Sequence, residues 1–396
     1  MNLAFIAKGL EGKGGTESDL LQLLRGLAER GHRLTVYSLK PWLPPGLSCR
    51  LIRVPVIGRG SLAALWSLAW LGPRLAFGGG HDLVIGYARL LRQDVVRCGG
   101  GAHESCLASL HAAGPRWRGW LRRIQPLHRS ILAIERRQYQ PGRYRRVLAV
   151  SHAVKADLMR VHGVPAEAVA VIPGGVDTAR FHPRRREEYR AAVRAACRIP
   201  SNAPCLLFVG NGFRRKGLET FLRALAVEPD PNLYALVVGT DPDAGRYREL
   251  AVRLGVRGRV VFTGAVTDTE RYYAAADLLA LPALQEAFGN VVLEALASGL
   301  PAVVSACAGV AEVLGKGLEE GLLSDPLDPR ELAARVKSML AVRAAGVFAA
   351  PARRVAESYS MTASLDRTEA LFGEAIREKT ESAAGMAENS GAKVAF

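Results

Sequence analysis

Short apolar runs, each leading through a polar or glycine-bearing loop into residues of helical spacing, recur along this chain and constrain it more than any other feature. The first unit is the clearest. Leu3–Ala7 reads as a buried strand, and Lys8–Gly15 as a glycine-rich loop. Thr16 reads as an N-cap, and Leu20, Leu23, Leu24 and Leu27 lie on one helical face. Gly31 ends that helix, and Leu34–Ser38 is the next strand. A strand that returns through a helix runs parallel to its predecessor, joined by a right-handed crossover. Further strands are predicted at Leu83–Gly86, Val147–Val150, Cys205–Val209, Ala235–Val238, Val260–Phe262, Leu278–Leu281 and Ala302–Val304. Helical patterns fall at Gly217–Ala226, Arg246–Leu254, Thr269–Ala276, Asn290–Ser298 and Met361–Lys379. The later set begins after a charged, proline-bearing segment, Phe181–Pro204. The expectation is therefore an α/β protein of two doubly wound parallel sheets, the first over 1–170 and the second over 171–359. A hinge is expected around 170–200, and a loose tail over 381–396.

With 396 residues, 49% of them hydrophobic, the chain can fill two cores. None of its six cysteines forms a C-x-x-C pair, so the sequence points to structural thiols in a reduced, cytoplasmic setting. The first residues lack the pattern of a secretory leader. The long uncharged stretches Gly60–Pro73 and Ala295–Ala311 fall short of the roughly 20 residues a membrane span needs. The net charge is +16, and ten arginines against one acid, Glu135, lie between Arg116 and Arg146. Such a patch attracts nucleic acid, an anionic membrane or a phosphorylated substrate, and charge alone does not choose among them.

In open parallel sheets ligands bind where strands end, so the loops leaving strands carry the chemistry. After the first strand, Gly14 and Gly15 allow close backbone approach to an anion at a helix start, as a diphosphate requires, or simply make a tight turn. The loop is neither G-x-G-x-x-G nor a P-loop. After Cys205–Val209 the loop reads GNGFRRKG. Its Arg215 and Lys216 put positive charge at a helix start, against the dipole, a conflict that a bound anion relieves. After Leu278–Leu281 comes PALQEAFGNVVLE. Glu286 lies in the loop and Glu294 eight positions on in the next helix, so both can accept hydroxyls of one polyol ligand.

These residues resemble the retaining GT-B glycosyltransferases of family 4. The E-x7-E pair with EAFGNVVLEALASGLPAVVS, the VGNGFRRKG loop, VIPGGVDTARF, YYAAADLLALPA and GGTESD carry the similarity. It is dense from about 147 to 325 and thinner before that. Within the family it extends to the bacterial lipopolysaccharide inner-core glucosyltransferases. The resemblance implies two Rossmann-like domains facing across a cleft, with residues 360–380 crossing back to the first. It implies that Arg215 and Lys216 neutralise a donor diphosphate, Glu294 binds the nucleotide ribose and Glu286 contacts the donor sugar. Phe288, Gly289 and Asn290 would offer backbone N–H groups, and Gly14 and Gly15 would close over the diphosphate from the other domain. His103 would sit near sugar and acceptor, although a lone histidine is as readily structural. Asp19 would orient the acceptor or brace its loop. The implied donor is a nucleoside diphosphate sugar, UDP-glucose in this subgroup, used without a metal. The implied acceptor is an anionic glycolipid or saccharide, not nucleic acid. Asp241-Pro-Asp243 has D-x-D spacing but reads as a connecting loop.

The basic stretch also carries a stripe at 117, 120/121, 124, 127, 131 and 134. A helix with that stripe and an arginine face fits the inner surface of an anionic membrane, or a core with a solvated basic face. Pro126 is expected to break or kink it.

Overall fold

The structure, a computed structural model, describes residues 1–11, 15–40, 42–112, 125–228, 230–315, 318–344, 346 and 348–391. Two parallel sheets form it. The first comprises β1 (Asn2–Ala7), β2 (Arg33–Ser38), β3 (Arg50–Arg53), β4 (Leu83–Gly86), β5 (Val95–Cys98), β6 (Arg146–Ala149) and β7 (Val169–Val171), in the order β3-β2-β1-β4-β5-β6-β7. The second comprises β8 (Cys205–Val209), β9 (Tyr234–Val238), β10 (Val260–Gly264), β11 (Leu278–Leu281), β12 (Ala302–Ser305) and β13 (Leu322–Leu323), in the order β10-β9-β8-β11-β12-β13. In each sheet the chain starts in the middle, winds one way and then reverses. The reversals lie between β1 and β4 and between β8 and β11, so the loops leaving those strands flank the natural ligand crevices.

Both sheets are covered on both faces, which is why their strands read as apolar runs rather than alternations. On one face of the first sheet, Leu20, Leu24 and Leu27 of helix Gly15–Glu29 pack with Leu3 and Phe5. The mostly uncharged stretch Gly60–Phe77 is a helix on the other face, where Leu68 and Ala76 meet Ala4 and Ile6. Among the described residues, no helix is long and apolar enough to cross a membrane.

The last helix, Met361–Gly391, crosses back to the first sheet. Phe372 is fully buried against Phe5, ring centroids 6.3 Å apart. Glu369 pairs with Arg30, Glu378 with Arg146, and Lys379 Nζ donates to Asp94 at 2.9 Å. The two crossings between the sheets run side by side. Val176 N–H donates to the Tyr359 carbonyl at 2.9 Å, and Met361 N–H to the Val176 carbonyl at 3.1 Å.

Four local expectations change. The segment foreseen as a hinge holds helix Arg185–Ala196, which packs on helix Glu270–Ala275 of the second half. The polar end expected to be loose from residue 381 continues as helix to Gly391, carried by good helix formers such as Glu381, Ala383, Ala384, Met386, Ala387 and Glu388. Thr16 lies one residue inside its helix rather than capping it. Pro126 opens helix Pro126–Gln138 at its first position, where a missing N–H costs nothing, instead of kinking one. The part of the basic stripe at 117–124 lies outside the described residues.

Candidate functional site

A cleft of about 650 Å³ opens where the carboxyl ends of the two sheets face each other. The second half supplies one wall. Gly217 closes the basic loop in a left-handed conformation (φ +77), and a Cβ there would come within 1.8 Å of the Pro282 carbonyl oxygen. Only glycine lets the two loops touch. Leu284 N–H then donates to the Arg215 carbonyl at 2.8 Å, locking the β8 loop to the β11 loop. Gly210 (φ +143) plays the same part for the Lys216 side chain, whose Cδ lies 2.4 Å from where a Cβ would be.

That locking brings the charges together. Arg215 Nη1 donates to Glu286 Oε2 at 3.0 Å and to the Gln285 carbonyl at 2.9 Å. Lys216 Nζ is 3.3 Å from the same Glu286 oxygen and only 8% of the residue is exposed. Burial alone would push the Glu286 carboxyl up, but the charges of Lys216 and Arg215 and their hydrogen bonds hold it below the ordinary range. Glu294 differs. Burial dominates and pushes its carboxyl up, while the fully buried Tyr273 donates its hydroxyl to Oε2 at 2.6 Å. Gly289 (φ +109) precedes helix Asn290–Ala297, whose first N–H groups have no partner inside the helix. The Glu286 and Phe288 carbonyls are taken by Gly309 and Val310 N–H, which fixes that loop.

The first half supplies the other wall. Gly15 and Asp19 from helix Gly15–Glu29 reach the cleft; Gly14 lies outside the described residues. A Cβ at Gly15 would meet nothing within 4 Å, so packing does not demand glycine there. Asp19 is already engaged. Arg97, a charged residue inside β5, donates to Asp19 Oδ2 from Nη2 at 3.0 Å and Nε at 3.2 Å. Tyr87 is partly buried beside both, and the desolvation of its hydroxyl with the Asp19 charge drives that group far above the usual range. His103 opens helix His103–Ala112. Its Nε2 lies 2.9 Å from His128 Nδ1 and the two rings stack 5.1 Å apart. Burial, with Arg89 and His128 nearby, lowers its pKa to about 4, so the ring is neutral. Behind it the buried Glu135 accepts the His103 N–H at 2.9 Å and the Arg89 Nε at 2.8 Å. Gln285 Nε2 donates to the Gly100 carbonyl at 3.2 Å, and Ser151 Oγ to the Ala287 carbonyl at 2.8 Å, joining the two walls directly.

Apart from Gly14, all the residues to which the resemblance gives a role line this one cleft: Gly15, Asp19, His103, Arg215, Lys216, Glu286, Phe288, Gly289, Asn290 and Glu294. Asp241 does not. Its Oδ2 accepts the Phe213 N–H at 2.7 Å and its Oδ1 the Asp243 N–H at 2.8 Å, a turn-forming role. Sequence reasoning missed Arg97, Tyr87, Tyr273, His128 and Gln285. An arginine inside the run VVRC was the one visible sign, since a charge in a central strand needs a buried partner.

Two family models cover most of the chain: "Glycosyltransferase Family 4" matches residues 13–180 and "Glycosyl transferases group 1" matches residues 203–342. The chain belongs to the family-4 glycosyltransferases. Its two-sheet architecture is the GT-B fold of that family. This family-4 enzyme is 29% identical, over 81% of its length and 84% of the relative's, to the lipopolysaccharide glucosyltransferase WaaG of Escherichia coli (strain K12). The crystal structure of WaaG, described as a glycosyltransferase involved in lipopolysaccharide biosynthesis, superimposes with a TM-score of 0.79 at 27% identity, covering 93% of this chain and 99% of that one. The D-inositol 3-phosphate glycosyltransferase of Corynebacterium efficiens is 34% identical over 46% of this chain, and the match spans 45% of that relative. Anabaena Alr3699/HepE, solved with UDP and glucose, shares the fold at a TM-score of 0.73 and 20% identity, covering 94% of this chain and 100% of that one.

Proposed function

We propose that this glycosyltransferase is a retaining enzyme that moves a hexose, glucose, from UDP-glucose to a saccharide of the lipopolysaccharide core. The observation that carries this reading is the convergence of Arg215, Lys216, Glu286 and Glu294 in one inter-sheet cleft. The likeness to WaaG supports the acceptor class, and the ligands of Anabaena Alr3699/HepE support the donor.

Glu286 pairs with both Arg215 and Lys216 and offsets one of their two charges. A diphosphate takes its place between those cations, which frees Glu286 to accept sugar hydroxyls. Glu294, held by Tyr273, accepts ribose hydroxyls. Gly15, across the cleft, leaves room for the diphosphate. As the bond from the anomeric carbon to the phosphate oxygen breaks, Arg215, Lys216 and the N–H groups at Gly289–Asn290 stabilise the negative charge on the leaving group. The acceptor hydroxyl attacks on the same face and passes its proton to a leaving phosphate oxygen. No protein base is needed, which suits an Asp19 already tied to Arg97 and a His103 whose lowered pKa makes it a weak base.

A purified acceptor with truncated core, screened against nucleotide sugars by mass, tests donor and acceptor together. Transfer from UDP-glucose is expected, and the product keeps the α configuration by NMR. An inverted product, or no transfer from any hexose donor, defeats the reading. A donor other than UDP-glucose would favour a lipid- or polysaccharide-directed relative, as the Corynebacterium match suggests. A folded chain that binds no nucleotide sugar at millimolar concentration would point to a non-catalytic membrane-binding protein.

For the place of action we propose the inner face of the membrane, reached through 116–146. Helix Pro126–Gln138 exposes Arg129, Arg136 and Arg137. In the neighbouring helix, Trp70 stands 44% exposed under Arg74. Sedimentation with anionic vesicles checks it. Trp117→Ala with Arg122→Glu is expected to weaken binding, most at low salt, and unchanged sedimentation removes the membrane reading.

A further inference from the structure

The second half carries another cavity, at the amino ends of the strands whose carboxyl ends form the donor wall. Its centre is Asp277, the residue before β11. Asp277 Oδ2 accepts from Arg194 Nη2 at 2.6 Å and from the Cys205 N–H at 3.1 Å. Arg194 is 2% exposed, and its remaining N–H groups are spent on the Ala275, Pro200, Ser201 and Ala203 carbonyls. That pair is complete by itself. Yet three more guanidinium groups crowd the same carboxylate: Arg186 at 2.8 Å, Arg190 at 3.1 Å and Arg343 at 3.5 Å.

One acid cannot neutralise four cations. Burial first, and then the Arg186 charge, lowers the Arg343 pKa to about 10, so Asp277 does not fully offset its burial and its cationic neighbours. These three arginines and Lys337 face a cavity of about 720 Å³, large enough for a small organic ligand. The other side of the cavity is apolar, with Leu233, Val336, Leu340 and Phe348. Glu228 and Asp230 also border it, so the positive charge is concentrated at the Asp277 end. Arginine forks match phosphate oxygens in pairs, which suits a cluster of them to phosphate.

We propose that this cavity is a second ligand site, separate from the transfer cleft, that binds an organic phosphate: the phosphate on Arg186, Arg190 and Arg343, the carbon portion on Leu340 and Phe348. It lies at the opposite end of β11 from Glu286.

Calorimetry with phenyl phosphate and with inorganic phosphate tests the assignment. The full chain is expected to bind phenyl phosphate more tightly than phosphate, because only the former uses the apolar side. Lys337 is exposed, so Lys337→Glu keeps the fold and is expected to weaken binding several-fold. Arg343→Gln, with folding checked by circular dichroism, is expected to weaken it tenfold or more. Lys216→Ala, which disables the cleft, leaves this binding unchanged. No binding of phenyl phosphate at millimolar concentration overturns the proposal. So does binding that survives both cavity substitutions, or binding that Lys216→Ala abolishes, which would put the phosphate in the cleft. UDP-glucose titrations of the same variants report on the cleft separately.

Discussion

The two walls of the cleft are built in different ways. On the second-half wall, Arg215, Lys216 and Glu286 come from two loops that leave adjacent strands, Glu294 comes from the helix that follows the second loop, and backbone contacts at Gly217 and Leu284 hold those loops together. On the first-half wall, each polar group is held by side chains remote in sequence: Asp19 by Arg97, His103 by His128, and the helix behind it by Glu135. A wall made of neighbouring loops keeps its geometry as long as its turns do. A wall made of distant side-chain pairs depends on each pair, and can be changed pair by pair to suit a different acceptor.

The largest effect that would sharpen this contrast is at Arg97. Arg97→Met leaves Asp19 as an unpaired charge beside the partly buried Tyr87, and is expected to cost about 3–5 kcal/mol in urea unfolding. Asp19→Asn in the same chain should restore much of it. An undiminished midpoint for Arg97→Met would mean that the first wall does not depend on its long-range pair. Next comes the donor wall. Lys216→Ala should lower turnover by about 100-fold, the scale of one lost charge-stabilising donor, with the unfolding midpoint little changed. Near-normal turnover would break the assignment of that wall to the donor. A smaller effect is expected at Tyr273→Phe. Glu294 then loses its buried donor, worth about 1–3 kcal/mol, and UDP-glucose binding should weaken about tenfold by calorimetry while turnover at saturation falls less. The smallest concerns His103. Its lowered pKa means the folded state resists protonation, so its contribution to stability is complete above the ordinary histidine value near 6.5. That contribution is lost as pH falls from there through about 4. NMR titration of the ring should show a midpoint near 4. A midpoint near 6.5 would mean that His128 and burial do not govern it.

The same contrast explains what could be read from the amino acids. The strands of the second half were legible because buried parallel strands are short apolar runs, and Cys205–Val209 and Leu278–Leu281 have the predicted limits. β3, Arg50–Arg53, was not, because an edge strand with charged ends carries no apolar run. β7 and β13 are three and two residues long, too short for any period to show. The donor loops announced themselves by a charge conflict at Arg215 and Lys216 and by a fixed spacing between Glu286 and Glu294. Nothing local in the sequence tied Asp19 to Arg97, 78 positions away, or Glu294 to Tyr273. Those pairings exist only after the strands have taken their order.

Phe372, seated against Phe5, has a consequence for the order of events at the ribosome. The first 171 residues contain every strand of the first sheet, yet its packing is finished by a helix some 200 residues downstream. At about 5–20 residues per second, the earliest-made half waits roughly 10–40 s with that apolar face uncovered. A nascent chain stopped after residue 171 should therefore attract chaperones and stay protease-sensitive.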